Sequence, residues 1–279
     1  MPRRDQLKPL DAPTLVRRAE VPYVVWGDDE SGFVNDLFYV LSRELVVVTV
    51  TMPPGARFRS SDKFRAYFDT HECLYVLKGE YTCQDPETGE VRTARTGEML
   101  FMPEKRWHYG YNFGSEDLHL LECISPPTNQ AALAHVPRPK SLVGWDPQAP
   151  KNWPRRKDGL VENLRVCRRS DALNAIIGDR DPVRAEVLAS TERVFFAVLT
   201  VNANSKSALV TAPADTVYHA DSALVHVQSP STGDYFAAEP GDVVFIPAGV
   251  EHRIFNHGGR PLNVLMGAAC SFGKLQVAA

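Results

Sequence analysis

The sequence feature that most limits the fold is a long internal repeat. The segments GEMLFMPEKRWHYGYN (97–112) and GDVVFIPAGVEHRIFN (241–256) place Gly, Phe, Pro, His and Asn at identical spacing, 144 residues apart. Upstream, the runs VVVTVTMPPG and VFFAVLTVNAN align at a similar offset. A repeat of this length exceeds the roughly 20–50 residues of a solenoid unit, so it indicates a duplicated domain. The 279 residues suffice for two domains of ordinary size.

Each half of the chain is rich in short apolar runs that end in turn residues. The first half contains LVVVTVTMPPG, CLYVLKGEYTC, EMLFMPE and LHLLECISPP, and the second contains VFFAVLTV, ALVHVQSP, DYFAAEPGD, VVFIPAG and LNVLMGAA. Strands of this length separated by Gly, Pro and Asp predict an all-β protein of antiparallel sandwiches or barrels. Helical periodicity is weak, and its best candidates are residues 12–19 and DPVRAEVLAS (181–190), where Asp181 could cap a helix.

A proline-rich segment separates the two halves. Residues 125–160 contain seven of the 21 prolines, together with Trp145 and Trp153. Proline restricts the backbone to extended conformations, so we interpret the segment as a connector that packs along the barrels. We predict an N-terminal arm at 1–35, a first barrel at 36–125, a linker with a short helix at 126–185 and a second barrel at 186–279.

Charge, hydropathy and cysteine usage narrow the class of protein. The formal net charge of −3 argues against a nucleic-acid partner, because binding to phosphates needs an excess of basic residues. No apolar run reaches the length of a membrane span, and the N-terminus lacks the apolar core of a signal peptide. The five cysteines include no CxxC pair, which is typical of reduced thiols. We therefore expect a cytoplasmic protein without a membrane partner.

Both copies of the repeat resemble the second motif of the cupin family, G-x5-P-x-G-x2-H-x3-N. The second copy fits fully, and the first departs only at Lys105, which stands where the motif has its second glycine. The resemblance covers about residues 35–125 and 190–270, so the chain is similar to a bicupin. It implies two tandem, jelly-roll-like cupin barrels joined by the proline-rich linker, with His108 and His252 facing the barrel interiors as candidate metal ligands.

The first cupin motif, G-x5-H-x-H-x3-4-E-x6-G, is only partly present in the first half. The resemblance implies Glu72 as a ligand, because it lies seven residues before Gly79 in ECLYVLKG. The two motif histidines are absent, since Arg65, Tyr67, Ser61 and Lys63 occupy their positions when these are counted from either end of the motif. His71 is the nearest replacement and Asp69 the next. Strand alternation would turn His71 away from Glu72 unless a bulge intervenes, so both readings stay open.

The second half lacks the glutamate of that motif. When ALVHVQSP is laid on CLYVLKGE, Ser222 takes the place of the glutamate. The spacing H-x-D-x4-H of His219, Asp221 and His226 offers a second ligand set, which could join His252. The alternative, which we favour, is a structural second barrel with scattered polar residues.

A site of one histidine and one carboxylate, with or without a second histidine, leaves positions on the ion for substrate. With Fe(II), which we favour, this arrangement is typical of oxygenases, and the resemblance then implies a dioxygenase-like oxidoreductase for a small aromatic or dicarbonyl acid. Arg65 could bind the acid and Tyr109 could line the pocket. With Mn, Zn or Ni, an isomerase, lyase or hydrolase for a sugar or keto acid is the alternative. A non-catalytic small-ligand barrel is the third hypothesis. Cupin barrels commonly associate, so we also predict a homodimer.

Overall fold

Strands account for almost all the regular structure of the chain. The computed structural model describes residues 9–87, 89–128, 133, 135–138 and 164–278. The predicted linker falls largely outside these residues, and both of its tryptophans do so. The all-β prediction is confirmed.

The strands of the first half, with one strand from the end of the linker, are β1 Thr14–Val16, β2 Tyr23–Asp28, β3 Gly32–Leu41, β4 Val46–Met52, β5 Arg57–Phe58, β6 His71–Lys78, β7 Glu80–Gln84, β8 Val91–Arg95, β9 Met99–Met102, β10 Tyr109–Tyr111, β11 Leu118–Ser125 and β12 Arg165–Cys167. Those of the second half, with one helix, are β13 Leu173–Ile177, β14 Val183–Ser190, β15 Phe195–Val201, β16 Ser205–Lys206, β17 Val210–Thr211, β18 Thr216–His219, β19 Val225–Ser229, β20 Asp234–Ala238, β21 Val243–Ile246, β22 Glu251–Asn256, β23 Leu262–Ala268 and α1 Phe272–Ala278.

Each barrel is formed by a long sheet and a short sheet. In the first barrel, the seven-stranded sheet β12-β9-β6-β11-β4-β3-β2 faces the four-stranded sheet β5-β10-β7-β8. In the second, the seven-stranded sheet β1-β21-β18-β23-β15-β14-β13 faces a shorter sheet in the order β16-β22-β19-β20, with β17 also paired to β22. The two barrels have the same plan, as the duplicated motif predicts.

Two edge strands are exchanged between the halves. The N-terminal strand β1 pairs with β21 of the second barrel, and β12, which follows the linker, pairs with β9 of the first. The segment predicted as an arm at 1–35 therefore completes the second barrel with β1, and it also contains β2 and the start of β3 of the first barrel. Such distant pairings leave no local sequence pattern, so the predicted boundaries do not show them.

The segment 181–190 is a strand, and its prediction as a helix was wrong. Strand β14 pairs with β13 on one side and with β15 on the other. Val183, Ala185 and Val187 alternate into the core of the second barrel. The helix-forming residues of VRAEVLAS are overridden because this tertiary pairing buries one face of the strand. Residues 12–19 are not helical either, since they contain β1 and the start of a single 3-10 turn at Arg18–Glu20.

Apolar side chains form three clusters, one inside each barrel and one between them. Strand alternation divides β6, so that Leu74 and Val76 face the interior of the first barrel while Cys73 and Tyr75 face the second barrel. The Tyr75 ring stacks on Phe196 of the second barrel with centroids 5.7 Å apart. The barrels therefore share a buried interface, and the odd-numbered side chains of β6 belong to it.

Other sequence expectations concern the thiols, the membrane and the oligomer. All five cysteines are buried as free thiols. Among the described residues, no helix is long and apolar enough to cross a membrane. The edge strands β2 and β13 expose the apolar side chains of Tyr23, Leu173 and Ile176. The homodimer stays a prediction.

Candidate functional site

The interior of the first barrel brings together the two residues that both cupin motifs predict. Glu72 lies at the start of β6 and His108 lies just before β10, and each side chain is only 2 % exposed. The Nε2 atom of His108 is 3.6 Å from Oε2 of Glu72. This separation is longer than a hydrogen bond, and it suits two ligands that each lie about 2.0–2.2 Å from one ion.

The backbone fixes which nitrogen of His108 faces the carboxyl group. Its Nδ1 atom lies 3.3 Å from the carbonyl oxygen of Arg106, which can only accept, so Nδ1 carries the proton. The lone pair of Nε2 then points toward Glu72. Burial lowers the pKa of His108 to about 4, so the ring is neutral at pH 7.

Glu72 is a buried carboxyl group, and the described residues leave one of its oxygens without a hydrogen bond. Its Oε2 atom has no hydrogen-bond partner among them. Burial raises the pKa of Glu72 well above its usual value, and the charge and hydrogen bond of Glu122 raise it further. Without a cation, this environment therefore favours the protonated form of Glu72. A buried polar atom without a partner costs about 1–3 kcal/mol, and such an atom calls for a functional explanation.

Glu122 is a site residue that the sequence analysis missed. It lies on β11 opposite Leu74, and it alternates inward with Leu120 and Ile124. The available signal was the alternation in LHLLECIS, where a charged residue occupies one of the apolar, inward-facing positions.

A cavity of about 630 Å³, including its mouth, opens onto His108 and Glu122. Aromatic and aliphatic side chains form most of its wall, and none of the described residues that line it is a lysine or an arginine. The lining residues are Trp26, Val34, Asp36, Phe38, Val46, Val48, Val50, Phe58, Ala66, Phe68, Leu74, His108, Leu120, Glu122, Ile124 and Thr128. The cavity therefore combines apolar walls with acidic groups and one neutral imidazole.

His71 does not join this pair. Its Nδ1 atom lies 2.9 Å from the hydroxyl of Thr191 in the second barrel, and its ring packs edge-on against Phe101. No bulge occurs at the entrance of β6, where His71 pairs with Ser125 and Glu72 with Ile124 in regular register. Strand alternation thus directs His71 to the interface between the barrels, and the reading of His71 as a metal ligand is corrected.

Arg65 and Tyr109 also lie apart from the cavity. A guanidinium nitrogen of Arg65 donates to the carbonyl of Ser61 at 3.0 Å. Tyr109 follows His108 directly, so alternation turns it to the opposite side of the sheet, where burial raises its pKa and Ser60 and nearby arginines oppose the rise. Neither side chain lines the cavity. The structure therefore does not bring Arg65 and Tyr109 together with His108 at the cavity.

The second barrel places a threonine where the first has its glutamate. Thr216 pairs with Ile246 and Ala268 as Glu72 pairs with Met102 and Ile124, at the same offset of 144 residues. Ser222, which the sequence comparison put at this position, is exposed beyond the end of β18. The earlier alignment was out of register by six residues.

His252 is held by a tyrosine. Its Nδ1 atom lies 3.2 Å from the carbonyl oxygen of Val250, and its Nε2 atom lies 2.6 Å from the hydroxyl of Tyr218. Tyr218 occupies the position that Leu74 has in the first barrel. Burial lowers the pKa of His252 to about 4. The imidazole nitrogen that faces a carboxyl group in the first barrel is thus bound by a phenol in the second.

The other predicted ligands of the second barrel do not converge on His252. His219 is buried on the interface side of β18, Asp221 is exposed, and His226 packs against Tyr235 and His257 on the outside of β19. In the part of the chain that the structure describes, no group of three or more His, Cys, Asp or Glu residues stands ready to hold a metal ion. The predicted metal set His219, Asp221, His226 and His252 is corrected accordingly, because alternation sends its members to different faces.

Comparisons with known proteins agree with this architecture. Residues 48–124, within the first barrel, match the family model Cupin_2, a cupin domain. A serine-to-alanine mutant of Bacillus subtilis oxalate decarboxylase aligns with a TM-score of 0.64 at 14% identity, over 95% of this chain and 79% of that chain. A tryptophan-to-tyrosine mutant of that enzyme aligns at 0.62 and 15%, with the same coverage. A further structure of it, described for its Mn(II) centres, aligns at 0.64 and 14% over the same shares. No curated protein sequence matches the chain. At this identity the likeness shows the fold, two tandem cupin barrels.

Proposed function

We propose that the first barrel is a metal-dependent enzyme site in which Glu72 and His108 hold a divalent ion beside a small-molecule substrate. One observation carries the proposal: the buried, unpartnered Oε2 of Glu72 and the Nε2 of His108 face each other at 3.6 Å. Both atoms present lone pairs once Glu72 loses its proton. A cation between them would remove the cost of burying both groups.

Glu122 is the third ligand that we propose. Its carboxyl group already interacts with that of Glu72, and it lines the cavity that His108 also lines. No group of three ligands is in place as the described side chains stand, so Glu122 would have to complete the set when an ion binds. A set of one nitrogen and two carboxylate ligands suits Fe(II), Mn(II) and similar ions, and it differs from the histidine-rich first motif of the family.

The cavity wall indicates which substrates fit. Trp26, Phe58 and Phe68 offer apolar surface to a flat ring or a short chain. The wall includes the carboxyl groups of Asp36 and Glu122, and none of its described residues is a lysine or an arginine. A carboxylate of the substrate would therefore gain attraction only by contacting the ion itself. A neutral aromatic or dicarbonyl compound fits the wall better than the aromatic acid of the sequence prediction.

The residues of this chain have distinct tasks in such a site. His108 is oriented by the carbonyl of Arg106, which keeps the Nε2 lone pair toward the ligand position. Before an ion binds, Glu72 and Glu122 share a hydrogen bond, and the proton in it would leave when both carboxylates bind the ion. A bound ion would supply O2 activation if it is Fe(II), or polarisation of a carbonyl group if it is Mn, Zn or Ni.

Oxygenation by Fe(II) is the reaction that we propose to test first, with redox-neutral chemistry as its alternative. Protein loaded anaerobically with Fe(II) or Mn(II) is mixed with catechols, phenols and 1,2-dicarbonyl compounds, and O2 uptake and product masses are measured. We expect O2 uptake with Fe(II) that is lost in Glu72→Gln and retained in the matched variant Thr216→Val. Turnover without O2 uptake would support an isomerase, lyase or hydrolase instead.

A non-catalytic ligand-binding barrel is the second candidate. The absence of a preformed group of three ligands in the described chain favours it, as do the non-histidine residues at the two motif positions. This function predicts that small aromatic molecules bind the first barrel with equal affinity before and after treatment with a chelator. Metal-dependent binding would argue for the enzyme.

A further inference from the structure

The second barrel contains a cavity of its own, which differs in chemistry from that of the first. Its volume, including the mouth, is about 520 Å³. None of the described residues that line it is an Asp, Glu, Lys or Arg. The lining residues are Ile177, Val183, Leu199, Ser207, Ala208, Val210, Thr211, Ala212, Pro213, Thr216, Tyr218, His252, Ile254, Met266 and Leu275. A charged ligand would lose its hydration there without gaining a counter-ion, so the cavity selects neutral molecules.

The two polar rings in this cavity have a defined proton arrangement. Because the carbonyl of Val250 can only accept, Nδ1 of His252 is the protonated nitrogen, and Nε2 is an acceptor. The hydroxyl of Tyr218 therefore donates its proton to Nε2 across 2.6 Å. The Tyr218 oxygen retains lone pairs but has no proton to offer, so toward a ligand it acts as an acceptor.

Two buried hydroxyl groups deeper in the wall follow the same pattern. Thr216 donates to the carbonyl of Ala214 at 2.9 Å, and Ser207 donates to the carbonyl of Ala208 at 2.9 Å. Their protons, like that of Tyr218, are already bound to acceptors in the protein. A ligand whose polar group is a carbonyl would meet no free donor from these three residues, whereas an O–H group finds acceptors.

We propose that the second barrel binds a small, neutral, apolar molecule that carries one hydroxyl group, and that this hydroxyl donates to the oxygen of Tyr218. The walls formed by Leu199, Ile254 and Met266 contact the apolar body of the ligand. Binding requires no metal ion, because the Nε2 atom of His252 is occupied by Tyr218 and the position of Glu72 is taken by Thr216. The site thus selects ligands independently of the reaction in the first barrel.

Methionine methyl groups give a readout that separates the two barrels. Met266 lines the second cavity, whereas Met52 and Met102 lie in the core of the first barrel. The intact chain is labelled with 13C-methyl methionine, treated with chelator and titrated with p-cresol, with its isostere p-xylene and with p-toluate. The Met266 signal is assigned from the variant Met266→Leu.

We expect p-cresol to shift the Met266 signal saturably, with p-xylene binding about 3- to 10-fold more weakly because it lacks one hydrogen bond, and with p-toluate not binding. Tyr218→Phe alone would free the Nε2 atom of His252 as a new acceptor, so the preference for p-cresol over p-xylene should disappear in the double variant Tyr218→Phe/His252→Leu. The matched control is Tyr235→Phe, which removes a similar Tyr–His hydrogen bond at the surface, 2.9 Å from His257, and should keep the preference.

Several results would overturn the proposal. These are equal affinities of p-cresol and p-xylene for the unmodified chain, no saturable shift of Met266, or shifts confined to Met52 and Met102. A preference that survives in the double variant Tyr218→Phe/His252→Leu would also contradict it. The comparison of the two probes needs no variant, so a folding defect of the double variant leaves the proposal testable. Because the titration is done on chelated protein, a negative result would count against the ligand site of the second barrel and not against the metal site proposed in the first.

Discussion

The two barrels have the same arrangement of strands, but the polar side chains in their interiors differ. Both hold a histidine whose Nδ1 atom faces a backbone carbonyl, so both direct the lone pair of Nε2 inward. In the first barrel that lone pair faces the carboxyl group of Glu72, and in the second it accepts the hydroxyl proton of Tyr218. The identity of one neighbouring side chain decides whether the imidazole is available to a cation or already bound.

The acids of the first barrel have uncharged counterparts in the second. Thr216 stands at the position of Glu72, and Met266 stands at that of Glu122. The Oε2 atom of Glu72 is buried without a hydrogen-bond partner among the described residues, which costs stability, whereas the hydroxyl of Thr216 donates to the carbonyl of Ala214. This difference supports our proposals of a metal site in the first barrel and of a site for a neutral, apolar ligand in the second.

The largest effect is expected from removing the carboxylate of the first barrel. Glu72→Gln should lower the affinity for Mn(II) or Fe(II) by about 100-fold or more, because a neutral amide replaces a charged ligand. Isothermal titration calorimetry under anaerobic conditions measures this affinity. Thr216→Val, at the matched position of the second barrel, should leave it unchanged. Equal losses in both variants would show that the barrels do not differ in this way.

The next effect concerns the stability of the second barrel. Tyr218→Phe should lower the free energy of unfolding by about 1–3 kcal/mol, because it leaves the buried Nε2 of His252 without a donor. Urea unfolding measures the change. In the control Tyr235→Phe, the same type of hydrogen bond lies at the surface, and the change should stay within about 0.5 kcal/mol. A similar fall in the free energy of unfolding in both variants would show that the buried hydrogen bond between Tyr218 and His252 stabilises the protein no more than the surface one.

A pH-dependent effect should appear in the metal-free first barrel. The folded protein holds the proton of Glu72 at pH values where the unfolded chain, with a pKa near 4.5, has released it. The free energy of unfolding therefore falls as pH rises from about 4.5 toward the raised pKa of the folded state, because the unfolded chain releases this proton first. Glu72→Gln has no such proton, so its stability relative to the parent chain should rise over this range.

Thermal unfolding of both chelated proteins between pH 4 and pH 8 tests this sign. Titration of His108, whose pKa is lowered to about 4, occurs in both proteins and largely cancels in the difference. A gap between the two proteins that narrows as pH rises would contradict the account of Glu72 as a buried, protonated acid.

The smallest effect is expected at the interface between the barrels. His71→Ala removes one hydrogen bond to Thr191, so the free energy of unfolding should fall by about 0.5–1.5 kcal/mol. Metal affinity should stay the same, because the side chain points away from Glu72. A loss of metal in His71→Ala would instead restore His71 as a ligand.

The sequence predicted the part of the site that a local motif encodes. The resemblance to the two cupin motifs implied Glu72 and His108, and the internal repeat predicted the pair of barrels. The same offset of 144 residues places Thr216 opposite Glu72. The alignment of ALVHVQSP with CLYVLKGE, which rested on similar apolar composition, gave Ser222 instead. Short apolar runs resemble one another, so pattern matching does not fix the register of a strand.

Strand alternation accounts for most of the remaining differences. It explains why Glu122 lies inside the first barrel, and why His71 and Tyr109 lie outside its cavity. The pairings of β1 and β12 join residues that are far apart in the chain, and no local pattern predicts them. The positions of the motif residues Glu72 and His108 were therefore predictable from the sequence. The face of the strand to which each side chain points, and the pairing of strands far apart in the chain, required the structure.

Metal analysis of the purified chain tests the central claim most directly. Inductively coupled plasma mass spectrometry is applied to the parent chain, His108→Ala and His252→Ala after reconstitution and removal of free metal, with folding checked by circular dichroism. The account predicts one divalent ion per chain in the parent and in His252→Ala, and none in His108→Ala. Retention of the ion in His108→Ala, or its loss in a folded His252→Ala, would contradict the assignment of the metal site to the first barrel.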